Sequence, residues 1–379
     1  MTEYVRALPD NRSQMPDPRS RLERVHIDWM LVLLLAALTA FGLLVLYSAS
    51  GQSMAAVIRQ ARFFAVAWVV MIVAAQFSLA WYQRWAPLFY VIGVCALIGV
   101  AVAGSGAKGA QRWLEIGSFR FQPSEIMKLM VPLMVARFLA KSTLPPRFLV
   151  IAGSLALLGL PAALILKQPD LGTALLIAAS GLFVLFMAGI SWRFIGSAVV
   201  VLLASAWPVW LYLLKDYQRQ RILTLLSPES DKLGAGWNII QSKTAIGSGG
   251  WMGKGWLEGT QSQLDFLPES RTDFIIAVLA EEIGLRGVLV LLTLYLLILL
   301  RGIWIGVNAQ STYGRLVAAS FTLTFFVYVF VNMGMVAGLL PVVGVPLPLV
   351  SRGGTSIVTL MAAFGILMAV STEHRLMAR

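Results

Sequence analysis

Trp29-Met-Leu-Val-Leu-Leu-Leu-Ala-Ala-Leu-Thr-Ala-Phe-Gly-Leu-Leu-Val-Leu-Tyr-Ser48 is the stretch whose reading decides the fold class. It carries no charge, and at 1.5 Å per residue a helix of this length spans the roughly 30 Å hydrocarbon core of a bilayer. Comparable apolar runs lie near 60–78, 86–104, 123–140, 147–166, 170–189, 193–214, 273–301, 312–339 and 355–373. Lipid offers no partner for backbone amides, so each run is expected to be helical. The expectation is an all-α polytopic integral membrane protein with about ten transmembrane helices.

Composition agrees. Of 379 residues, 58% are hydrophobic and 13% charged, against about 25% charged in soluble domains. A soluble core could not hide that much apolar surface, whereas a bilayer accepts it on the lipid-facing side. The one cysteine, Cys95, reads as a small packing residue in an apolar run. His26 and His374 flank the apolar body and form no recognised metal spacing with it.

Residues 1–27 form a polar tail with arginines at 6, 12, 19, 21 and 24. No signal peptide is expected, because the first apolar run comes late and is long. The body is 28–379, and its longest polar segment, 215–272, falls between the seventh and eighth runs. Ten crossings put both ends of the chain on one side. With the long loop set aside, that side holds fourteen Lys and Arg and the other seven. The bias predicts cytoplasmic termini and an extracytoplasmic long loop. The net charge of +12 then fits membrane orientation and an anionic lipid head group better than nucleic acid.

Gly247-Ser-Gly-Gly-Trp-Met-Gly-Lys-Gly255 imitates a phosphate-binding P-loop but fails it: Ser248 stands at the first glycine, and Gly255 at the Ser/Thr. A flexible loop shaping a lipid or glycan groove is the better expectation. Asp273 begins the eighth run, where it reads either as a helix N-cap or as a general base facing a cavity. Glu125, Lys128, Asp170, Glu281, Glu282 and Arg286 lie in or beside apolar runs, and intramembrane charge points to function. Glu125 and Lys128 are three apart, Glu282 and Arg286 four apart, so each pair can meet on one helical face. Gly334 and Gly338 make a small-xxx-small pattern suited to helix packing.

Five stretches, taken together, carry a resemblance. They are Arg112-Trp-Leu-Glu-Ile-Gly…Phe121-Gln-Pro-Ser-Glu-Ile-Met-Lys128, Lys167-Gln-Pro-Asp-Leu-Gly-Thr173, Gln241-Ser-Lys-Thr-Ala-Ile-Gly-Ser-Gly-Gly250, Leu267-Pro-Glu-Ser-Arg-Thr-Asp-Phe274 and Pro346-Leu-Pro-Leu-Val-Ser-Arg-Gly-Gly-Thr-Ser356. In order and spacing the chain resembles the SEDS family (shape, elongation, division and sporulation) over all ten runs. The segment Gly253-Lys-Gly-Trp-Leu-Glu-Gly-Thr-Gln-Ser-Gln263 is closer to the elongation member than to the division member.

The resemblance implies a peptidoglycan glycosyltransferase of the bacterial inner membrane that polymerises lipid II for cell elongation and rod shape. It implies Asp273 as the essential carboxylate, with Arg112, Trp113, Glu125 and Lys128 lining or supporting the same cavity. It also implies a class B penicillin-binding protein transpeptidase as partner within the elongation machinery. Two positions depart from the pattern: Arg271 replaces the usual His and Arg352 the usual Tyr.

The chemistry joins the 4-hydroxyl of one sugar to C1 of another that bears a lipid diphosphate. A hydroxyl needs a base within reach, so Asp273 is expected to act as general base with inversion at C1. Arg112, Lys108 and Lys167 are the cations expected to stabilise the departing diphosphate. A divalent cation (Mg or Mn) could share that task, and the sequence shows no dedicated cage for one. The alternatives are a lipid II flippase, against which stand the missing inverted repeats, and a non-catalytic elongation scaffold.

Overall fold

The computed structural model describes residues 26–103, 113–116, 119–231, 234–263, 266–267 and 269–373. Among these the chain is helical apart from one short ribbon. In order the elements are α1 (Trp29–Ala49), α2 (Met54–Gln76), α3 (Leu79–Ala103), β1 (Leu114–Ile116), β2 (Phe119–Phe121), α4 (Pro123–Ala140), α5 (Phe148–Lys167), α6 (Leu171–Met187), α7 (Trp192–Pro208), α8 (Asp216–Leu226), α9 (Ala235–Gly249), α10 (Thr260–Gln263), α11 (Ile275–Glu282), α12 (Gly284–Asn308), α13 (Thr312–Val336) and α14 (Thr355–Ser371). The strands pair antiparallel with Glu115 opposite Arg120.

Seven of these helices are long and apolar enough to cross a membrane, and α6 and α14 are apolar but shorter. The remaining expected crossing, α4, carries Glu125, Lys128 and Arg137. It can do so because α3, α5, α6, α13 and α14 all pack against it. The helices alternate in direction. Asp28 near the start of α1 meets Arg301 late in α12, 2.7 Å apart. At the same end His26 Nδ1 lies 2.7 Å from Thr372 Oγ1. Ser48, at the far end of α1, donates to Glu282, and that opposite end carries α8 to α11.

Charged residues blurred the expected helix edges. α2 starts at Met54 and α3 at Leu79, earlier than the expected 60 and 86, because Arg59, Arg62 and Arg84 lower the hydropathy of turns that are nevertheless helical. The expected eighth crossing needs a larger correction. It is two helices, broken at Ile283, where Gly284 takes φ +74°. A β-carbon on Gly284 would stand 2.4 Å from Gly253 N, so the bend depends on glycine. The break also undoes the expected helical pairing of Glu282 with Arg286. Ser48 donates to Glu282, while Arg286 Nε donates to Ile283 O at 3.1 Å. Gly338 lies beyond the end of α13 with φ +70°, so Gly334 and Gly338 do not form one helical face.

The glycine-rich loop 247–255 is docked rather than loose. Lys254 N and Gly255 N donate to Glu281 O and Glu282 O at 2.9 and 3.0 Å. Lys254 Nζ pairs with the fully buried Glu281 at 2.7 Å. Thr260 N and Gln261 N reach the same carboxylate at 2.9 and 3.1 Å. Its lysine is therefore committed to a carboxylate rather than offered to a phosphate.

Candidate active site

α4 begins Gln122-Pro-Ser-Glu125, with Pro123 in its first turn and Glu125 where the helix dipole favours a negative charge. One turn on, Lys128 Nζ lies 2.6 Å from Glu125 Oε1, with both side chains largely buried. Thr359 of α14 donates to Glu125 Oε2 at 3.1 Å. The ammonium sits 5.3 Å from the centre of the Tyr328 ring on α13, a cation–π approach. Asp170 caps α6 by accepting from Thr173 N at 3.2 Å. From the loop, α8 presents Arg221 across the Tyr217 ring at 5.9 Å, with Nη1 3.5 Å from Val343 O.

These groups line one open cleft of about 370 Å³, together with Trp113, Gln122, Thr173, the 343–346 strap and Gly354 to Ser356. The cleft holds two carboxylates, an ammonium, a guanidinium and an indole. A narrower apolar slot continues from Lys128 between α13 and α14, lined by Leu129, Phe325 and Leu360 among others.

Asp273 lies at the rim of this cleft, in the turn before α11. It does not cap that helix: the cap position is Phe274, with no side-chain bond. The residue is half-buried. A β-carbon built on Gly344, a cleft-lining residue, would stand 3.6 Å from Asp273 Oδ2. The backbone here is fastened from two sides. Asn332 Nδ2 donates to Asp273 O at 2.8 Å and to Val345 O at 2.7 Å, and Ser351 Oγ donates to Thr272 O. Among the described residues nothing hydrogen-bonds the carboxylate itself. Burial pushes its pKa up to about 6, the charge of Glu269 adds to the rise, and Arg221 opposes it. A carboxyl poised near neutral pH suits a general base.

The structure brings together three of the residues expected from sequence, Trp113, Glu125 and Lys128, in the cleft that Asp273 borders. Lys167 is exposed at the end of α5 and is not among the residues lining the cleft. Lys108 and Arg112 lie outside the described residues. Sequence reasoning missed Arg221, which stood in a loop set aside for orientation, and Tyr328, whose hydroxyl within an apolar run was the available signal. It noted Asp170 as ionisable but not as a cap. The two departures from the family pattern are neighbours: Arg352 N donates to Arg271 O at 2.9 Å, and both side chains are exposed. Among the described residues no three His, Cys, Asp or Glu side chains converge as metal ligands. The described donor set does not fit a dedicated metal cage.

A family described as cell cycle protein, of FtsW, RodA and SpoVE type, matches residues 28–376. The chain belongs to that family. It is 53% identical over 364 residues to peptidoglycan glycosyltransferase MrdB of Escherichia coli K12, covering 96% of this chain and 98% of that protein. To the probable peptidoglycan glycosyltransferase FtsW of Trichlorobacter lovleyi it is 38% identical over 372 residues, covering 94% and 96%. Among solved structures, a chain from a peptidoglycan synthase complex superposes with TM-score 0.79 at 32% identity, covering 91% of this chain and 97% of that one. The rod shape determining protein RodA of Thermus thermophilus superposes with TM-score 0.69 at 28% identity, covering 91% and 96%. Within the family the chain is thus nearer to MrdB than to this FtsW relative.

Proposed function

We propose that this membrane protein is a peptidoglycan glycosyltransferase that polymerises lipid II into glycan strands for cell elongation, with Asp273 as general base. The observation that carries the mechanism is a carboxylate, released from helix capping, at the rim of a cleft furnished with cations. The 53% identity to an Escherichia coli protein of that name, along nearly the whole of both chains, supports the activity.

The acceptor's 4-hydroxyl gives its proton to Asp273 as its oxygen bonds C1 of the donor sugar. The bond from C1 to the diphosphate oxygen breaks on the opposite face, so the α-linked diphosphate becomes a β-glycoside. Diphosphate leaves readily once its charge is met, and no second carboxylic acid is needed, unlike the pair used in glycoside hydrolysis. Lys128, steadied by Glu125 and Tyr328, the family-implied Arg112, and Lys108, expected from the chemistry of the leaving group, supply that positive charge. Trp113 offers an apolar face to a sugar ring. The slot between α13 and α14 suits an apolar lipid segment.

The orientation follows the charge bias: both termini in the cytoplasm of the bacterial inner membrane, and the loop end outside. The contact of His26 with Thr372 supports the shared side. A class B penicillin-binding protein is the proposed partner. The likeness to a chain from a complex described as coordinating polymerization and crosslinking supports that choice. The function is tested by reconstituting the purified protein in vesicles with labelled lipid II. Glycan polymer is expected. Translocated monomer without polymer would make it a transporter, and neither product would make it a scaffold.

A further inference from the structure

We propose that Arg221 is a positioning residue for Asp273, a counter-charge delivered from the loop that keeps the base ionised without closing on it. The proposal rests on the reading of Asp273 as the base. Three observations carry it. Among the described residues of the segment 215–272, Arg221 is the one that lines the cleft. Its guanidinium is braced between the Tyr217 ring on its own helix and Val343 O, one residue before the glycine beside Asp273 Oδ2. No ion pair forms between Arg221 and Asp273 among the described residues, so the carboxylate keeps its lone pairs for a substrate proton.

The charges around Asp273 explain why a counter-charge is needed. Glu269, on the same turn, accepts from Thr272 Oγ1 at 2.6 Å and repels a second negative charge. Arg271 and Arg352 are exposed, where solvent screens them. Lys128 still faces the cleft, but at the distance of Asp273 its charge is offset by Glu125, 2.6 Å from it, and Asp170 adds negative charge. Among the described residues Arg221 is therefore the cation that acts on Asp273 from the cleft side. A salt bridge in direct contact would have suppressed the basicity, whereas a charge held slightly apart tunes it.

The test is the pH dependence of lipid II polymerisation by the intact protein with its partner. Arg221→Gln is expected to move the acid limb of kcat/KM upward by about one pH unit, with activity recovering in alkaline buffer. Arg221→Lys keeps the charge and should leave the limb in place with activity largely retained. An unmoved limb in Arg221→Gln would overturn the proposal. So would equal loss at every pH in Arg221→Lys, which serves as the deciding variant should Arg221→Gln fail to fold. If instead the unsubstituted protein has no acid limb near pH 6, the assignment of Asp273 as base has failed.

Discussion

α4 and α7 are membrane helices of nearly equal length, 18 and 17 residues, that sit in opposite places. α4 carries three charges, yet eleven of its residues are buried and other helices surround it. α7 is almost uncharged and none of its residues is buried. Val200, near its middle, is 65% exposed. In water the arrangement would be inverted. In lipid, apolar surface is at home on the outside, and interior positions go to side chains that need partners. The polar cleft exists because α4 is shielded, and α7 can stand at the periphery because it asks nothing of its neighbours.

That contrast can be broken most severely at Lys128. Lys128→Met leaves the Glu125 carboxylate buried beside Thr359 without its cation. A loss of about 3–5 kcal/mol is expected, read by thermal or denaturant unfolding in detergent micelles. Replacing both partners, Glu125→Gln with Lys128→Met, should restore most of that stability while polymer formation stays abolished, which separates packing from chemistry. On the lipid side, Val200→Lys places a charge against hydrocarbon. It is expected to cost about 2.5–3.5 kcal/mol if the position lies mid-bilayer, visible as reduced membrane integration.

The cleft also responds to protons. The folded pKa of Asp273 is raised to about 6; in the proposed mechanism the base is the ionised form, so activity is expected to fall as pH drops through that value. Each unit below it should cost about tenfold, or about 1.4 kcal/mol, in a polymerisation rate profile. The smallest effect is reserved for Val200→Ala, within about 0.5 kcal/mol in the same unfolding measurement. A large effect there would mean that α7 packs against protein.

The same contrast explains what was legible in the sequence. Hydropathy found the helical crossings because bilayer thickness sets their length, and three-residue spacing found the Glu125–Lys128 pair. It could not find the break at Gly284, because the backbone of Leu279 to Arg286 is bent by contact with a distant loop rather than by local polarity. Arg221 was invisible for a related reason: α8 is short and polar, and only tertiary placement brings its guanidinium over the cleft. Lys167 was expected at the site as a cation for the departing diphosphate, but it is exposed at the end of α5 and does not line the cleft. The choice between cap and base at Asp273 depended on where α11 begins, and sequence leaves helix ends uncertain by a few residues.

Asp273→Asn tests the central claim most directly. The change preserves shape, and no described hydrogen bond to the carboxylate is lost, so the purified protein should unfold at nearly the unsubstituted temperature. With labelled lipid II and the proposed partner present, glycan polymer is expected to fall by at least about a hundredfold, the usual scale for losing a general base. Polymer made at the unsubstituted rate by that well-folded variant would contradict the mechanism.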